Sequence, residues 1–312
     1  ANTETETRAR MGGLAILMIG VGSFFLPRLG GTDAITTSFL LGLWRTTCLV
    51  VLFFIKPTER KIEQKDFLSY RPLVLNRSFL LYFIPWIMFT LVNDLTYPVT
   101  LKAFPSLVEN GTIIESILAG VFSVVYGFAA DRIGRKRVIL LAFALLGVGY
   151  GALGFGSGNE GAFWFYTAVD GIAWGALSMI FIMTVWGDLA QTKGSEKFYV
   201  LGSLPYLLSN LSRLTIGNYL ADTVPGAAVF SFAGFFLFAA VLPLFLAPET
   251  LPEKIIKDNE MKTYLEKAQK IVMKTQNEDG KKPLKGYEEI KLEIEIRQEE
   301  FEKSEELAEE CY

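Results

Sequence analysis

The chain has 312 residues, of which 51% are hydrophobic and 20% are charged, with a formal net charge of −3. Its charged residues are concentrated in a few short blocks, a distribution that is typical of membrane proteins and unlike that of an ordinary soluble domain. The sequence contains no His and only two Cys, Cys48 and Cys311, which excludes a disulfide framework and any metal or acid–base site built on His.

Eight apolar segments follow one another along the chain. Each has about 18 to 25 residues, the length with which an α-helix crosses a hydrocarbon core about 30 Å thick. We therefore predict an all-α fold, a polytopic membrane helix bundle with eight transmembrane helices. The predicted helices occupy residues 11–30, 36–55, 77–98, 110–130, 137–157, 162–189, 199–221 and 226–247.

The connections between these helices differ in charge from one side of the membrane to the other. Those at Lys56–Arg77 and Arg132–Arg137 are rich in Lys and Arg, whereas the opposite connections carry almost none. By the positive-inside rule the basic connections are cytoplasmic, and both termini are then cytoplasmic as well. The polar N-terminus shows no signal peptide. Because the acidic excess lies near the C-terminus, nucleic acid is not an expected partner.

Glycines are frequent inside the predicted helices. The helix at 137–157 alone contains Gly147, Gly149, Gly151 and Gly154. Small residues let membrane helices approach closely, so we predict helix contacts at these positions.

The connection at the end of the fourth predicted helix carries the strongest motif. Gly127 is followed four residues later by Asp131-Arg132 and then by Gly134-Arg135-Lys136. This order resembles the loop signature of the major facilitator superfamily, which lies between the second and third helices of a six-helix half. Gly134 permits a tight turn, and Arg135 can fold back on Asp131. The resemblance implies that these six residues form a conformational latch.

Two further features resemble the C-terminal two-thirds of this family, its helices five to twelve. Pro248-Glu249-Thr250 directly follows the last predicted helix, like the acidic ending of many members. Three predicted helices and a long basic loop precede the helix that ends in the signature. The implied domains are two transmembrane helices at 1–55, a cytoplasmic central loop at 56–77, a six-helix bundle at 78–247 and a cytoplasmic tail at 248–312.

The resemblance implies two more features, the first of them through the pseudo-symmetry between the two six-helix halves of the family. Asp131 should contact the start of the first helix, near Arg10 to Gly13. Four N-terminal helices of a complete member, or a partner chain, should complete the transporter.

Ionisable side chains inside the predicted helices are candidates for a solute or proton pathway, because they are costly in lipid. Asp94 lies with Asn93 and Tyr97 toward the outer end of its helix, where a carboxylate can exchange protons or bind a cationic group. Its alternative role is to cap the helix end at the interface. Glu115 is expected at headgroup depth, where it would have little function.

A second candidate face lies on the helix at 162–189. Asp170 is four residues from both Tyr166 and Trp174, so a carboxylate and two aromatic rings share one helix face. That face suits a polar or cationic solute. Alternatively, Asp170 forms a structural ion pair with one of two intramembrane counter-charges, Arg45 and Arg213. We expect Asp188, after Trp186-Gly187, to close its helix in a structural role.

The tail after residue 250 contains two segments with different hydrophobic patterns. Apolar positions from Met261 to Val272 recur at helical spacing, whereas Ile290 to Ile296 favours a strand by alternation and a helix by its Glu content. The acidic end is either a solvated tail or an arm that binds a partner.

The sequence therefore predicts a carrier in the plasma membrane that moves a small solute by symport or antiport with H⁺ or Na⁺, without a metal or cofactor. The alternative is a non-transporting membrane subunit or sensor whose tail binds a partner. An enzyme is not predicted, because no nucleophile constellation is recognisable.

Overall fold

The helices follow the apolar segments of the sequence closely. The computed structural model describes residues 7–29, 33, 35–40, 42–43, 46, 70–190, 195–252, 255–257 and 261. These residues contain no strand, and apart from short connections they are helical. We number the helices α1 (Arg8–Leu29), α2 (Tyr70–Val74), α3 (Arg77–Ala103), α4 (Val108–Ile133), α5 (Arg135–Phe155), α6 (Glu160–Ala190), α7 (residues 195–223) and α8 (Gly226–Leu246).

Two of the long helices contain π-helical turns. In α6 the π-helical segment is Met179–Thr184, and in α7 it is Arg213–Gly217. Such turns shift the side chains that follow them around the helix axis and are frequent at functional sites.

Five of these helices, α3, α4, α5, α6 and α8, are long and apolar enough to cross a membrane. The protein is therefore an all-α, polytopic membrane helix bundle, as predicted. Seven of the eight predicted segments coincide with α1 and α3 to α8. The segment at 36–55 lies largely outside the described residues, although residues 35–40, 42–43 and 46 are helical. Also outside are Arg45, both cysteines, most of the loop at 56–77 and nearly all of the tail.

The chain divides into two units, Ala1–Ile256 and Lys257–Tyr312. In the first, α1 packs along α4, and α4 packs along α6. Helix α8 packs against α5 and α3, and α3 packs against α7. Of the second unit, Lys257 and Met261 are described, and both are helical.

Aromatic side chains fill the space between α3, α5 and α6. Trp86 stacks on Phe181 with ring centroids 4.9 Å apart, and Phe89 packs edge-on against Trp174 at 4.8 Å. The indole N–H of Trp86 donates to the carbonyl of Gly202, 2.8 Å away on α7. This core holds the three helices in a fixed rotation, which decides where their polar side chains meet.

The predicted glycine contacts of α5 are confirmed. A Cβ added at Gly147, Gly149 or Gly154 would lie 2.9 Å or less from an atom of α8 or α6. A Cβ added at Gly151 would meet no atom within 4 Å, but the backbone of Gly151 is close to α8, because a Cβ at Gly234 would lie 3.2 Å from its N. Which side of each glycine faces the neighbouring helix depends on the rotation of α5, which glycine spacing alone does not reveal.

Candidate functional site

Asp131 joins the end of α4 to the start of α1. Its Oδ1 accepts the backbone N–H of Ala9 at 3.3 Å, and its Oδ2 accepts the backbone N–H of Arg10 at 2.9 Å. The Nε of Arg10 also lies 3.0 Å from Oδ2. N–H groups in the first turn of a helix lack partners within that helix and attract a carboxylate. The predicted contact between Asp131 and the first helix is confirmed.

Two further charged residues extend this contact to α5 and α6. Arg135 folds back on Asp131, with Nη2 and Oδ1 2.9 Å apart, as predicted. Its Nε lies 3.0 Å from Oδ2 of Asp188, and Asp188 also forms an ion pair with Arg8. We call Arg8, Arg10, Asp131, Arg135 and Asp188 the charge cluster. The sequence prediction missed Arg8 and treated Asp188 as a helix end, whereas Asp188 bridges two arginines.

The glycines of the motif give the backbone room for these contacts. A Cβ added at Gly127 would lie 2.8 Å from the carbonyl oxygen of Ala9, so only glycine lets α1 and α4 come this close. Gly134 has a φ of 101°, a conformation that side chains with a Cβ rarely adopt. Arg132, by contrast, is exposed at the end of α4 and forms no ion pair with a described residue.

Glu249, in the predicted acidic ending after α8, caps the first turn of α5. Its carboxylate accepts the backbone N–H of Arg135 at 2.9 Å and that of Lys136 at 3.1 Å. The Nζ of Lys136 donates in return to the carbonyls of Phe245 and Ala247, each 2.8 Å away. The motif and the acidic ending, more than 110 residues apart in sequence, are thus one contact.

A second group of polar side chains surrounds α3 between Asn93 and Tyr97. Asp94 is buried and accepts the hydroxyl of Ser209 on α7. The guanidinium carbon of Arg213 lies 3.7 Å from the centre of the Tyr97 ring. Arg213 is also near enough to Asp94 for the two charges to attract each other.

The other side of α3 contacts α5 and α6. The indole N–H of Trp174 donates to Oδ1 of Asn93 at 3.2 Å. The hydroxyls of Thr96 and Tyr150 are 2.8 Å apart, those of Tyr150 and Tyr166 are 3.2 Å apart, and Tyr166 donates to Oδ2 of Asp170 at 3.1 Å. A chain of hydroxyl groups therefore links α3 to Asp170.

Three of the six predicted pathway residues lie on α3, namely Asn93, Asp94 and Tyr97. Trp174 bonds to Asn93, and Tyr166 and Asp170 belong to the hydroxyl chain. We call the whole group the polar cluster: Asn93, Asp94, Thr96, Tyr97, Glu115, Tyr150, Tyr166, Asp170, Trp174, Ser209 and Arg213. Asp170 forms no ion pair with a described residue, so Arg213 is not its structural partner, and Arg45 lies outside the described residues.

Four members of the polar cluster were not among the predicted site residues. The sequence analysis set Glu115 aside as a headgroup-level residue, whereas in the structure its backbone packs against Gly171, the residue after Asp170. Thr96, Tyr150 and Ser209 were missed altogether. Their only signal in the sequence is a polar atom within an apolar helix, and many such residues bond only to their own backbone.

The comparison with protein families finds a match over most of the bundle. The family model described as Major Facilitator Superfamily matches residues 67–292. The match contains the motif at Gly127 to Arg137, the acidic ending and every member of the polar cluster. No curated protein matches the chain.

Proposed function

Because the chain belongs to the major facilitator superfamily of membrane transporters, we propose that it moves a small solute across the membrane by alternating access, coupled to H⁺ or Na⁺. One observation carries the proposal. Carboxylates, a guanidinium and aromatic rings from α3, α4, α6 and α7 converge inside the helix bundle. Ionisable groups in that position are costly and mark substrate or ion pathways in membrane proteins.

The composition of the polar cluster limits the chemistry of the solute. Asp94 offers a buried carboxylate, and Arg213 offers a guanidinium that is stacked on an aromatic ring. A carboxylate beside aromatic rings binds cationic groups, so we propose a polar solute with a cationic group at Asp94. Trp174 and Asn93 already share a hydrogen bond, which can fix their orientation toward that solute.

The charge cluster is the proposed latch of the transport cycle. It connects the ends of α1, α4, α5 and α6 through buried ion pairs. A rocking motion that separates α1 from α4 must break the contacts of Asp131. The cluster therefore stabilises the conformation in which these ends meet.

The setting of this cycle follows from the charge of the connections. We propose that the protein lies in the plasma membrane with both termini in the cytoplasm, because the basic connections are then all inside. Four N-terminal helices of a complete family member, or a partner chain, would supply the second half of the solute cavity.

The test is uptake of a panel of radiolabelled cations and zwitterions into proteoliposomes that contain the protein. Asp94→Asn and Asp170→Asn should abolish uptake of the solute found in this way. Asp222→Asn, which removes a carboxylate exposed at the end of α7, is the matched control and should leave uptake unchanged. Equal uptake by all three variants would contradict the proposed site.

A second outcome would favour the alternative function, a membrane subunit or sensor. In that case no solute on the panel is taken up, and deletion of residues 254–312 releases a protein that otherwise copurifies with the chain.

A further inference from the structure

We infer that Asp170 and Glu115 form a proton-binding site within the polar cluster, served by the hydroxyl chain of Thr96, Tyr150 and Tyr166. The inference deepens the proposed transport function and rests on it for its role in coupling. The binding of the proton itself is a separate property of these side chains.

The two oxygens of the buried Asp170 carboxyl group differ in their hydrogen bonds. The residue is only 2% exposed. Oδ2 accepts the hydroxyl of Tyr166, whereas Oδ1 is buried without a hydrogen-bond partner. A buried carboxylate without a donor on one oxygen and without a cation beside it is costly by several kcal/mol. A proton on Oδ1 removes that cost.

Glu115 brings a second carboxyl group to the same place. Helices α4 and α6 pack closely there, since a Cβ added at Gly171 would lie 3.0 Å from the Cα of Glu115 and 2.8 Å from its carbonyl oxygen. Gly171 follows Asp170 directly, so the backbone of Glu115 packs beside that of Asp170. Two neighbouring carboxylates repel each other, so the pair holds one proton more readily than either group alone.

Three titratable groups among the described residues face Asp170. They are Glu115 on α4, Tyr150 on α5 and Tyr166 on α6 itself. From α3 the neighbouring polar group is Thr96, which reaches Asp170 through the two tyrosines. No described cation lies within ion-pair distance of Asp170, so a proton is the neutralising charge that the site can take up and release.

The hydroxyl chain gives that proton a route. Each hydroxyl can donate one hydrogen bond and accept others, so the chain can pass a proton between α3 and Oδ2 of Asp170. Thr96 lies three residues from Asn93 on α3, and its hydroxyl lies 3.2 Å from the Asn93 carbonyl oxygen. The route therefore ends beside the hydrogen-bonded pair of Asn93 and Trp174.

The proton is measured directly by infrared difference spectroscopy of the full chain in lipid nanodiscs, titrated from acidic to alkaline pH. A protonated carboxyl group has a C=O stretching band that an ionised one lacks. We expect the wild-type protein to show such a band and Asp170→Asn to lose it. Glu115→Gln should keep the band but lose it at a lower pH, because the repulsion that favours the proton is gone.

The controls are Glu109→Gln on α4 and Glu160→Gln on α6, which change exposed carboxyl groups of the same two helices. Both should leave the band and its titration unchanged. If Asp170→Asn does not fold, Tyr166→Phe decides the question, because loss of its hydrogen bond must shift the frequency of an Asp170 band. A band that none of the variants at Asp170, Glu115 and Tyr166 alters would overturn the inference.

The readout also separates this inference from the proposed function, since it needs no solute. A proton at Asp170 in a chain that takes up nothing would contradict transport and leave the site intact. Solute uptake by a protein without the carboxyl band would contradict the proton site alone.

Discussion

Asp131 joins α4 to α1 and α5, since it binds two backbone N–H groups of α1 and the side chains of Arg10 and Arg135. In Asp131→Asn the amide keeps the shape but not the charge, so Arg135 loses one of its two carboxylates. Removing one partner of a buried ion pair costs about 3–5 kcal/mol. Because Asp188 remains beside Arg135, we expect a loss of about 3 kcal/mol in the free energy of unfolding, measured by denaturant titration in detergent.

The matched control for this prediction is an ion pair of the same chemistry at the surface. Asp222 lies 2.8 Å from Lys102, and both side chains are more than half exposed. Exposed pairs contribute about 0–1 kcal/mol, so Asp222→Asn should scarcely change the free energy of unfolding. Equal losses in the two variants would show that Asp131 does not stabilise the bundle through its buried contacts.

The pairing of single residues could be predicted from the sequence only where it is local or carried by the family resemblance. Asp131 and Arg135 are four residues apart, so their contact follows from helical spacing. The contact of Arg8 with Asp188 joins residues 180 positions apart, and nothing in the local sequence indicates it. Buried charges require partners. Matching the ionisable residues at helix ends on the same side of the membrane would therefore have suggested the pair of Arg8 and Asp188.

At the scale of helix pairs, Gly13 is the point of closest approach between α1 and α4. A Cβ at this position would lie 2.3 Å from the carbonyl oxygen of Ser123, an atom of the α4 backbone that cannot rotate away. Gly13→Ala must therefore move the helices apart and weaken the hydrogen bond from Ser123 Oγ to the carbonyl of Gly13. We expect a loss of about 1–3 kcal/mol, the usual cost of overpacking, in the same unfolding measurement.

Gly20 provides the comparison on the same helix. A Cβ at Gly20 would meet its nearest neighbours in α4 at 3.8 and 3.9 Å, an ordinary contact. Gly20→Ala should leave stability unchanged or raise it by up to about 1 kcal/mol, since Ala favours the helix more than Gly does. A loss as large as that of Gly13→Ala would contradict the close approach at Gly13.

The acidic ending makes a prediction about the first turn of α5. Glu249→Ala leaves the N–H groups of Arg135 and Lys136 without the carboxylate that accepts them. Loss of a helix cap costs about 0.5–2 kcal/mol, and faster hydrogen exchange of these two amides, measured by mass spectrometry, checks it. The control is Glu196→Ala, which removes an exposed carboxylate from the first turn of α7 and should leave exchange in α5 unchanged.

The long helices themselves could be predicted from apolar length, but their ends and internal irregularities could not. Helix α3 continues to Ala103, five residues past the end predicted from the apolar segment. The π-helical turn at Arg213–Gly217 leaves no mark in the apolar pattern. The position of Arg213 over the Tyr97 ring depends on how α7 packs against α3, which the apolar pattern does not indicate.

At the scale of the whole molecule, the sequence predicted the class of fold and the motif that identifies the family. It did not predict which helix faces meet, because a helix that is apolar on all sides has no periodicity to indicate its buried face. The contact of α1 with α4 was predicted only through the pseudo-symmetry of the resembling family. The hydroxyl chain from Thr96 to Asp170 needs the relative rotation of three helices, which only the packed aromatic core determines.

The proposed latch makes a prediction about the accessibility of the bundle. Ser123 is fully buried between α1 and α4, so a cysteine at this position should react with a soluble maleimide only when the two helices separate. In a background of Cys48→Ser and Cys311→Ser, adding Asp131→Asn to Ser123→Cys should raise the labelling rate about tenfold to a hundredfold. This range corresponds to about 1.4–2.8 kcal/mol less stabilisation of the closed arrangement.

The control distinguishes separation of α1 and α4 from general loosening of the protein. Thr100 is buried near the opposite end of α3, where its hydroxyl bonds to the carbonyl of Thr96. Labelling of Thr100→Cys should not change with Asp131→Asn, because the charge cluster lies at the other end of the helices. An equal rise in the labelling rate at both cysteines would mean that Asp131→Asn loosens the whole bundle. A rise at Ser123→Cys alone is the result that a latch between α1 and α4 requires.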